Sequence, residues 1–416
     1  MSEILEKISG IVWGNGLIFL LLATGVYYTI KLRFIQLRML PMLMKKNSEK
    51  VSDGGLSQLK TFCMSLGTAM GTGNITGVAS AIAIGGPGAV FWMWVSAFFG
   101  MAVVYAENTL GARYRTGSCK GSIAYIRNGL GSRGLAAAFA VFCIFAALGM
   151  GGMVQVNSFA ESIPGCTNMG KIIIAAASFV LIFSVTGGGA SRIGSTAQFL
   201  LPLVTLGYSA AALAVIVKHS YNIIPVFSEI ITDAFSFQPI VGGVGGFVVS
   251  RAVSAGIRRG IFSNEAGLGS SPLLHSAASG SVMKTQGTWS MLEVFVDTFV
   301  CCTLTALVIL TSRKESINSV FATVFGALSS PFLTVSLGIL AFCTVIGWYF
   351  CGESAFAYVF GDGHKRIFTL IFSVTAASGA VISASDVWTL SDIFNGLMAF
   401  PNILALLLLS KKVGKE

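Results

Sequence analysis

The sequence predicts an all-α polytopic membrane protein with about eleven transmembrane helices, on three observations. Of the 416 residues, 54% are hydrophobic and only 11% charged, less than half the usual charged share. Apolar runs repeatedly reach about twenty residues, enough for a helix to cross a hydrocarbon core roughly 30 Å thick. The mean hydropathy is +0.80, and the basic residues collect between the runs. Soluble enzymes, nucleic-acid binders and secreted disulfide scaffolds are excluded. No stretch outside the apolar runs could fold alone, so the chain reads as one transmembrane domain, 1–416.

Hydropathy with glycine, proline and charged breaks places helices at 11–31, 60–82, 88–112, 135–160, 171–186, 195–217, 240–262, 286–311, 332–351, 367–383 and 388–410. The first follows Glu3, Glu6 and Lys7, too acidic and too long for a cleaved signal peptide, so it is expected to be retained. The second carries GTGN at 71–74 in its middle. The seventh carries GGVGG at 242–246 followed by SRAVSAG at 250–256. Glycine in a helix interior costs roughly 1 kcal/mol against alanine, so both are expected to be broken where a cavity satisfies the freed backbone. Close helix packing is the other reading of these glycines. With the first helix set aside, the breaks fall at positions one and six of ten, the spacing of two inverted five-helix repeats, 60–217 and 240–410.

Loop charge selects the orientation. With the N-terminus outside, 31–60, 113–134, 187–194, 258–285, 352–366 and 411–416 are cytoplasmic and hold 21 of the 27 Lys and Arg. Five remain outside, and Arg251 lies within an apolar run. The positive-inside rule therefore predicts N-outside and C-inside, which requires an odd number of helices. The eight cysteines form no CxxC pair, so neither a metal site nor a disulfide framework is implied.

Polar groups at bilayer depth are costly and therefore informative. At the break in the second helix, Thr72, Gly73 and Asn74 would expose amide N–H groups able to hold a carboxylate, with carbonyls and the Asn74 amide oxygen able to hold a small hard cation. Thr68 and Thr76 beside it suit back-bonding to their own helix. Gln155 and Ser158 share a face of the fourth helix and suit substrate contact or helix–helix hydrogen bonding. On the ninth helix Thr344 and Trp348 share a face: a threonine can complete cation coordination, and an indole can wall a small pocket or anchor at the interface. Glu293 and Asp297, four apart, would repel if both ionised, so at least one should be protonated, paired with a basic group or near the interface. Glu107 is expected to pair with Arg113 and Arg115. Arg258 and Arg259 would end a helix on the cytoplasmic side and pair with Asn264 and Glu265 as an inner gate, or serve only as a positive-inside anchor.

At these residues the sequence resembles the alanine/glycine:cation symporter family, also called the sodium:alanine symporter family. The resemblance rests on GTGNITGVASAIAIGGPGAVFWMWVSAFFGMAVVYAENTLGARYR (71–115), GIRRGIFSNEAGLGSSP (256–272) and GWYFCGESAFAYVFG (347–361). It implies a leucine-transporter-type fold of ten core helices after one peripheral helix, 11–31, moving alanine or glycine with sodium across the cell membrane of a prokaryote. Carried over, Thr72, Gly73 and Asn74 would contact the amino acid, with Gln155, Ser158 and Trp348 completing the pocket. Thr344 with carbonyls near Gly67 and Met70 would bind the sodium. KGSIAYI (120–126) and GLGSSP (267–272) depart from the family pattern and bear on gating or partners.

The expected partners are a small neutral amino acid, sodium and the bilayer, with no cofactor, no nucleic acid and a monomeric carrier. A channel would need rings of carbonyls or charges from several subunits. A membrane-bound enzyme lacks a nucleophile–base pair. An ion-independent or proton-coupled permease of the same fold remains the alternative.

Overall fold

The computed structural model describes residues 2–44, 55–117, 119–236, 251–278, 283–314 and 316–414. Its helices, in chain order, are α1 (Ser2–Val12), α2 (Asn15–Lys31), α3 (Gln58–Ala69), α4 (Thr76–Gly85), α5 (Gly88–Tyr114), α6 (Arg133–Glu161), α7 (Asn168–Thr186) and α8 (Gly189–Lys218). There follow α9 (Ile223–Ala234), α10 (Arg251–Asn264), α11 (Ser271–His275), α12 (Thr285–Ser312), α13 (Ile317–Phe325), α14 (Ser329–Phe360), α15 (Lys365–Ser378) and α16 (Ala384–Leu408). Among the described residues no strand forms.

Among the described residues eight segments are long and apolar enough to cross a membrane, against eleven expected. The three others have identifiable reasons. The second expected span is split into α3 and α4, and α15 has 14 residues. The seventh begins inside 237–250, so GGVGG lies outside the described residues. The following SRAVSAG is helical from Arg251 onward, within α10, contrary to the expected break. Its Gly256 shows why: an added Cβ would stand 2.7 Å from the Trp92 Cβ on α5, so here glycine serves close packing.

Helix α5 is apolar around its circumference, so it is buried along most of its length, from Gly88 to Gly111. Helices α2, α10 and α12 pack on it. Two long helices change winding in mid-course, with π-helical turns at Ala147–Met153 in α6 and Phe295–Cys302 in α12. Such turns often mark functional positions. Pro202 and Pro401 stand inside α8 and α16, which a membrane bundle tolerates when neighbours re-satisfy the backbone. The N-terminal α1–α2 pair lies against α16, where the Trp13 indole donates to the Asp392 carbonyl at 2.6 Å and the Tyr28 hydroxyl to the Leu406 carbonyl at 2.5 Å.

Candidate functional site

The site is built on the interruption between α3 and α4. Met70 (φ −75°, ψ 71°) leaves the helix and Gly71 is extended (φ −103°, ψ −153°), after which 72–74 make one 3-10 turn. Gly71 gives its N–H to Ala69 at 2.8 Å, so the Gly67 carbonyl has lost the amide four residues on. The Thr344 hydroxyl donates to it at 2.9 Å from α14. The Thr72 N–H and hydroxyl both donate to Gln155 Oε1, at 3.1 Å each. A Cβ on Gly71 would stand 2.6 Å from Thr344 Oγ1 and 2.8 Å from Gln155 Oε1. Only glycine admits both neighbours.

Asn74 turns the other way. Its amide Nδ2 donates to Asp297 Oδ1 at 2.7 Å, while Oδ1 is buried without a hydrogen-bond partner. Ser263 on α10 and Thr298 donate to Asp297 Oδ2 at 2.8 and 2.9 Å. One buried carboxylate therefore collects donors from three elements beside an unclaimed amide oxygen, an arrangement suited to positive charge.

The structure thus brings Gly67, Met70, Thr72, Gly73, Asn74, Gln155 and Thr344 into one region, and the remaining candidates have other contacts. Ser158 lines a cavity of about 340 Å³ with Ile75, Thr76, Ser162, Leu337 and Trp388; it is a vestibule residue and not a neighbour of Gln155's contact. Trp348 is fully buried, one turn beyond Thr344, where its indole donates to Glu265 Oε1 at 2.8 Å. That excludes interfacial anchoring, and its ring lies against Gly151 of α6. Thr68 and Thr76 donate to the carbonyls four residues back, at 2.6 and 2.8 Å, as back-bonding hydroxyls.

The expected pairing of Arg258 and Arg259 with Asn264 and Glu265 is not what the structure has. Both arginines lie within α10, a turn or more before its end. Arg258 pairs with Asp392 of α16 at 3.2 Å, and Arg259 lies 5.1 Å over the Trp388 ring. Trp388 stacks on Phe262 at 5.1 Å, and Phe262 reaches toward Gly73. This cation–aromatic stack links the cavity wall at Trp388 to the break at Gly73. The physical reason is helical direction: Arg258 and Phe262 reach residues of α16, while Asn264 closes α10 and Glu265 follows it. Asn264 donates to Thr298 at 3.3 Å and accepts from the Ala266 amide.

A second interruption, 265–270, follows α10. Glu265 is left-handed (φ 56°), as are Gly267 and Gly269 (φ 88° and 83°). Its carbonyls are claimed by fixed donors: Asn402 of α16 donates to Gly267 O at 2.9 Å and Ser122 to Gly269 O at 2.6 Å. Ser270 donates to Glu265 Oε2. Glu107 also joins here, accepting from Asn402 at 2.5 Å. Its expected partners are elsewhere: Arg113 donates to the Lys412 carbonyl and Arg115 to that of Ala278. Ser122 and Tyr125, both from KGSIAYI, complete the network, with Tyr125 donating to Ser122 at 3.0 Å and to Asn402.

Sequence reasoning missed Phe262, Ser263 and Trp388 as site residues and left Asp297 without a partner. The first two lie in the quoted 256–272 motif. Asp297 was visible as an acid at bilayer depth, but Asn74 is 223 residues away.

Comparison with known proteins gives the same picture. The model of a family described as the sodium:alanine symporter family matches residues 1–416. The chain is 36% identical to the sodium/alanine symporter AgcS of Methanococcus maripaludis, over 100% of this chain and 96% of that one. It is 34% identical to the probable sodium/glutamine symporter GlnT of Bacillus subtilis, over 99% and 90%. Among solved structures it is similar to MhsT in complex with L-phenylalanine, with a TM-score of 0.63 and 14% identity, covering 87% of this chain and 90% of that one. That likeness is one of fold.

Proposed function

The chain belongs to the sodium:alanine symporter family, a family of carriers and not enzymes, and from that premise we propose that it imports alanine and glycine coupled to sodium by alternating access. The observation that carries the reading is the Thr72 N–H and hydroxyl converging on one Gln155 oxygen, beside the Thr344–Gly67 contact. A substrate carboxylate takes the place of the Gln155 oxygen opposite the two Thr72 donors. Sodium takes the Gly67 and Met70 carbonyls with the Thr344 hydroxyl, all neutral oxygens, and the substrate carboxylate adds negative charge nearby. Asn74 Oδ1 and Asp297 receive the substrate ammonium. Gly71 pressed by Thr344 and Gln155, and Trp348 packed on Gly151, favour a small side chain.

In this reading the carrier is a monomer of the cell membrane of a prokaryote, with eleven passes arranged as one peripheral helix and two inverted five-helix repeats. The interruptions at 70–75 and 265–270 occupy corresponding places in the two repeats. With Arg258 and Arg259 placed inside α10, 19 Lys and Arg (21 less two) still face the side of the 31–60 loop against five on the other, which favours a cytoplasmic C-terminus. The stack of Arg259, Trp388 and Phe262 then gates the outer side, and Arg258–Asp392 steadies it.

The test is radiolabelled alanine uptake into proteoliposomes with sodium and proton gradients imposed separately. Uptake that follows the sodium gradient alone is expected. Equal uptake under a proton gradient, or exchange with neither, replaces sodium symport by the proton-coupled or ion-independent alternative. Thr344→Ala is expected to weaken sodium affinity about tenfold or more, since a ligand to a hydrogen-bonded or charged group is worth about 1.5–3 kcal/mol. By reciprocity, whatever factor remains by which sodium raises alanine affinity in the variant equals the factor by which alanine raises sodium affinity. Unchanged sodium affinity in that variant removes Thr344 from the cation site.

A further inference from the structure

The other acid of α12, Glu293, sits in a buried chain of polar groups outside the site just described. His275, at the end of α11, is 3% exposed. Its Nδ1 lies 2.7 Å from Gln286 Oε1 and its Nε2 lies 2.8 Å from Glu293 Oε1. Gln286 donates its Nε2 to Gln58 of α3 at 2.8 Å, which assigns the amide orientation and makes Gln286 Oε1 an acceptor toward the ring. Nδ1 therefore carries a hydrogen. The second nitrogen faces a carboxylate oxygen at the same short range, so an imidazole with no proton there would oppose two lone pairs. Ser65 of α3 donates to the remaining oxygen, Glu293 Oε2, at 2.8 Å.

We propose that His275 and Glu293 form a proton-binding site that ties α11 and α3 to α12, and that loss of this proton opens the side of the carrier on which they lie. The geometry requires one proton between Nε2 and Oε1, whether the pair is imidazolium and carboxylate or imidazole and carboxylic acid. The two half-helices it joins are the segment ending at Gly67 and Met70 and the segment beginning after the second interruption. They cannot part from α12 without breaking this contact. Proton removal leaves a carboxylate against a lone pair in a buried setting, which is repulsive and costly. A crevice of about 10 Å³, room for one water, lies beside His275, Gln286, Asn108 and Arg115, and Arg115 is exposed. Among the described residues, Cys63 of α3 and Glu265 of the second interruption also feel the charge of Glu293. Neither is basic.

The sign follows from linkage. Free histidine gives up its proton near pH 6.5, whereas the folded pair holds one, so folding takes up a proton above that pH and stability falls as pH rises. Two measurements use the full-length carrier. In proteoliposomes with equal pH on both sides, sodium-driven alanine uptake by wild type is expected to fall by up to about tenfold per pH unit above the titration. Glu293→Gln, whose amide donates to Nε2 without titrating, is expected to keep transport and flatten the profile. In detergent, the melting temperature of wild type is expected to fall between about pH 6 and 9 relative to Glu293→Gln. His275→Gln serves the same comparison should Glu293→Gln fail to fold. Parallel melting profiles in wild type and variant, or a flat wild-type profile, overturn the proposal. The first arm rests on the alanine reading and the second does not. A carrier that melts with the expected slope but takes up no alanine sinks that reading and leaves the proton site standing.

Discussion

The two interruptions use opposite hydrogen-bonding strategies. At 70–75 the freed groups are served by side chains that could serve a ligand equally well: two Thr72 donors share one Gln155 oxygen, Thr344 caps Gly67, and Asn74 Oδ1 has no partner. At 265–270 the carbonyls of Gly267 and Gly269 receive Asn402 and Ser122, and Glu265 is held by Trp348 and Ser270. A backbone break with under-used polar atoms is prepared for a guest. One whose freed carbonyls are claimed by neighbouring side chains is a fixed bend.

The sharpest way to break this contrast is to fill the first interruption. Gly71→Ala puts a methyl group against Thr344 Oγ1 and Gln155 Oε1, and uptake is expected to fall at least about a hundredfold, with misplacement near the centre costing that much. Its melting temperature should move by only a few degrees. Near-normal uptake shows that the ligand does not use this break. A middle-sized effect is expected at the second interruption and of the opposite kind. Glu265→Ala strands the buried Trp348 N–H and should cost about 1–3 kcal/mol of stability, read by thermal unfolding, while Glu265→Gln keeps an acceptor and recovers most of it. A Glu265→Ala carrier that is fully stable but has lost alanine affinity assigns the second break to binding as well. The smallest effect belongs to Arg258→Gln, because the pair with Asp392 is partly exposed, 32% and 16%; no more than about 1 kcal/mol is expected, with any change confined to the rate of transport.

The same contrast explains how much was legible. GTGN announced the first interruption because several glycines in an apolar run carry a local cost that needs no tertiary information. SNEAGLGSS, by contrast, reads as a loop by hydropathy, yet every residue from Ser263 to Ser271 is buried. Mean hydropathy cannot separate a polar segment dissolved in water from one dissolved in protein. That is also why Arg258, Arg259 and Glu107 were drawn to the interface: their partners Asp392, Trp388 and Asn402 are more than a hundred residues away. Glu293 fulfilled one of the three options left open for it, a basic partner, in His275. The π-helical turns had no signal, because a single inserted residue leaves a helical apolar pattern almost unchanged.

The contacts of Trp13 and Tyr28 with α16 also fix an order of assembly. They join residues 379 and 378 positions apart, about as non-local as a chain of this length permits. At roughly 5–20 residues per second of synthesis, tens of seconds separate the arrival of the two partners in the bilayer. Helix α2 can settle on α5 early, but these two hydrogen bonds wait for α16, which supplies both carbonyl acceptors. Loss of α16 should therefore leave α2 seated on α5 while freeing the Trp13 indole and the Tyr28 hydroxyl.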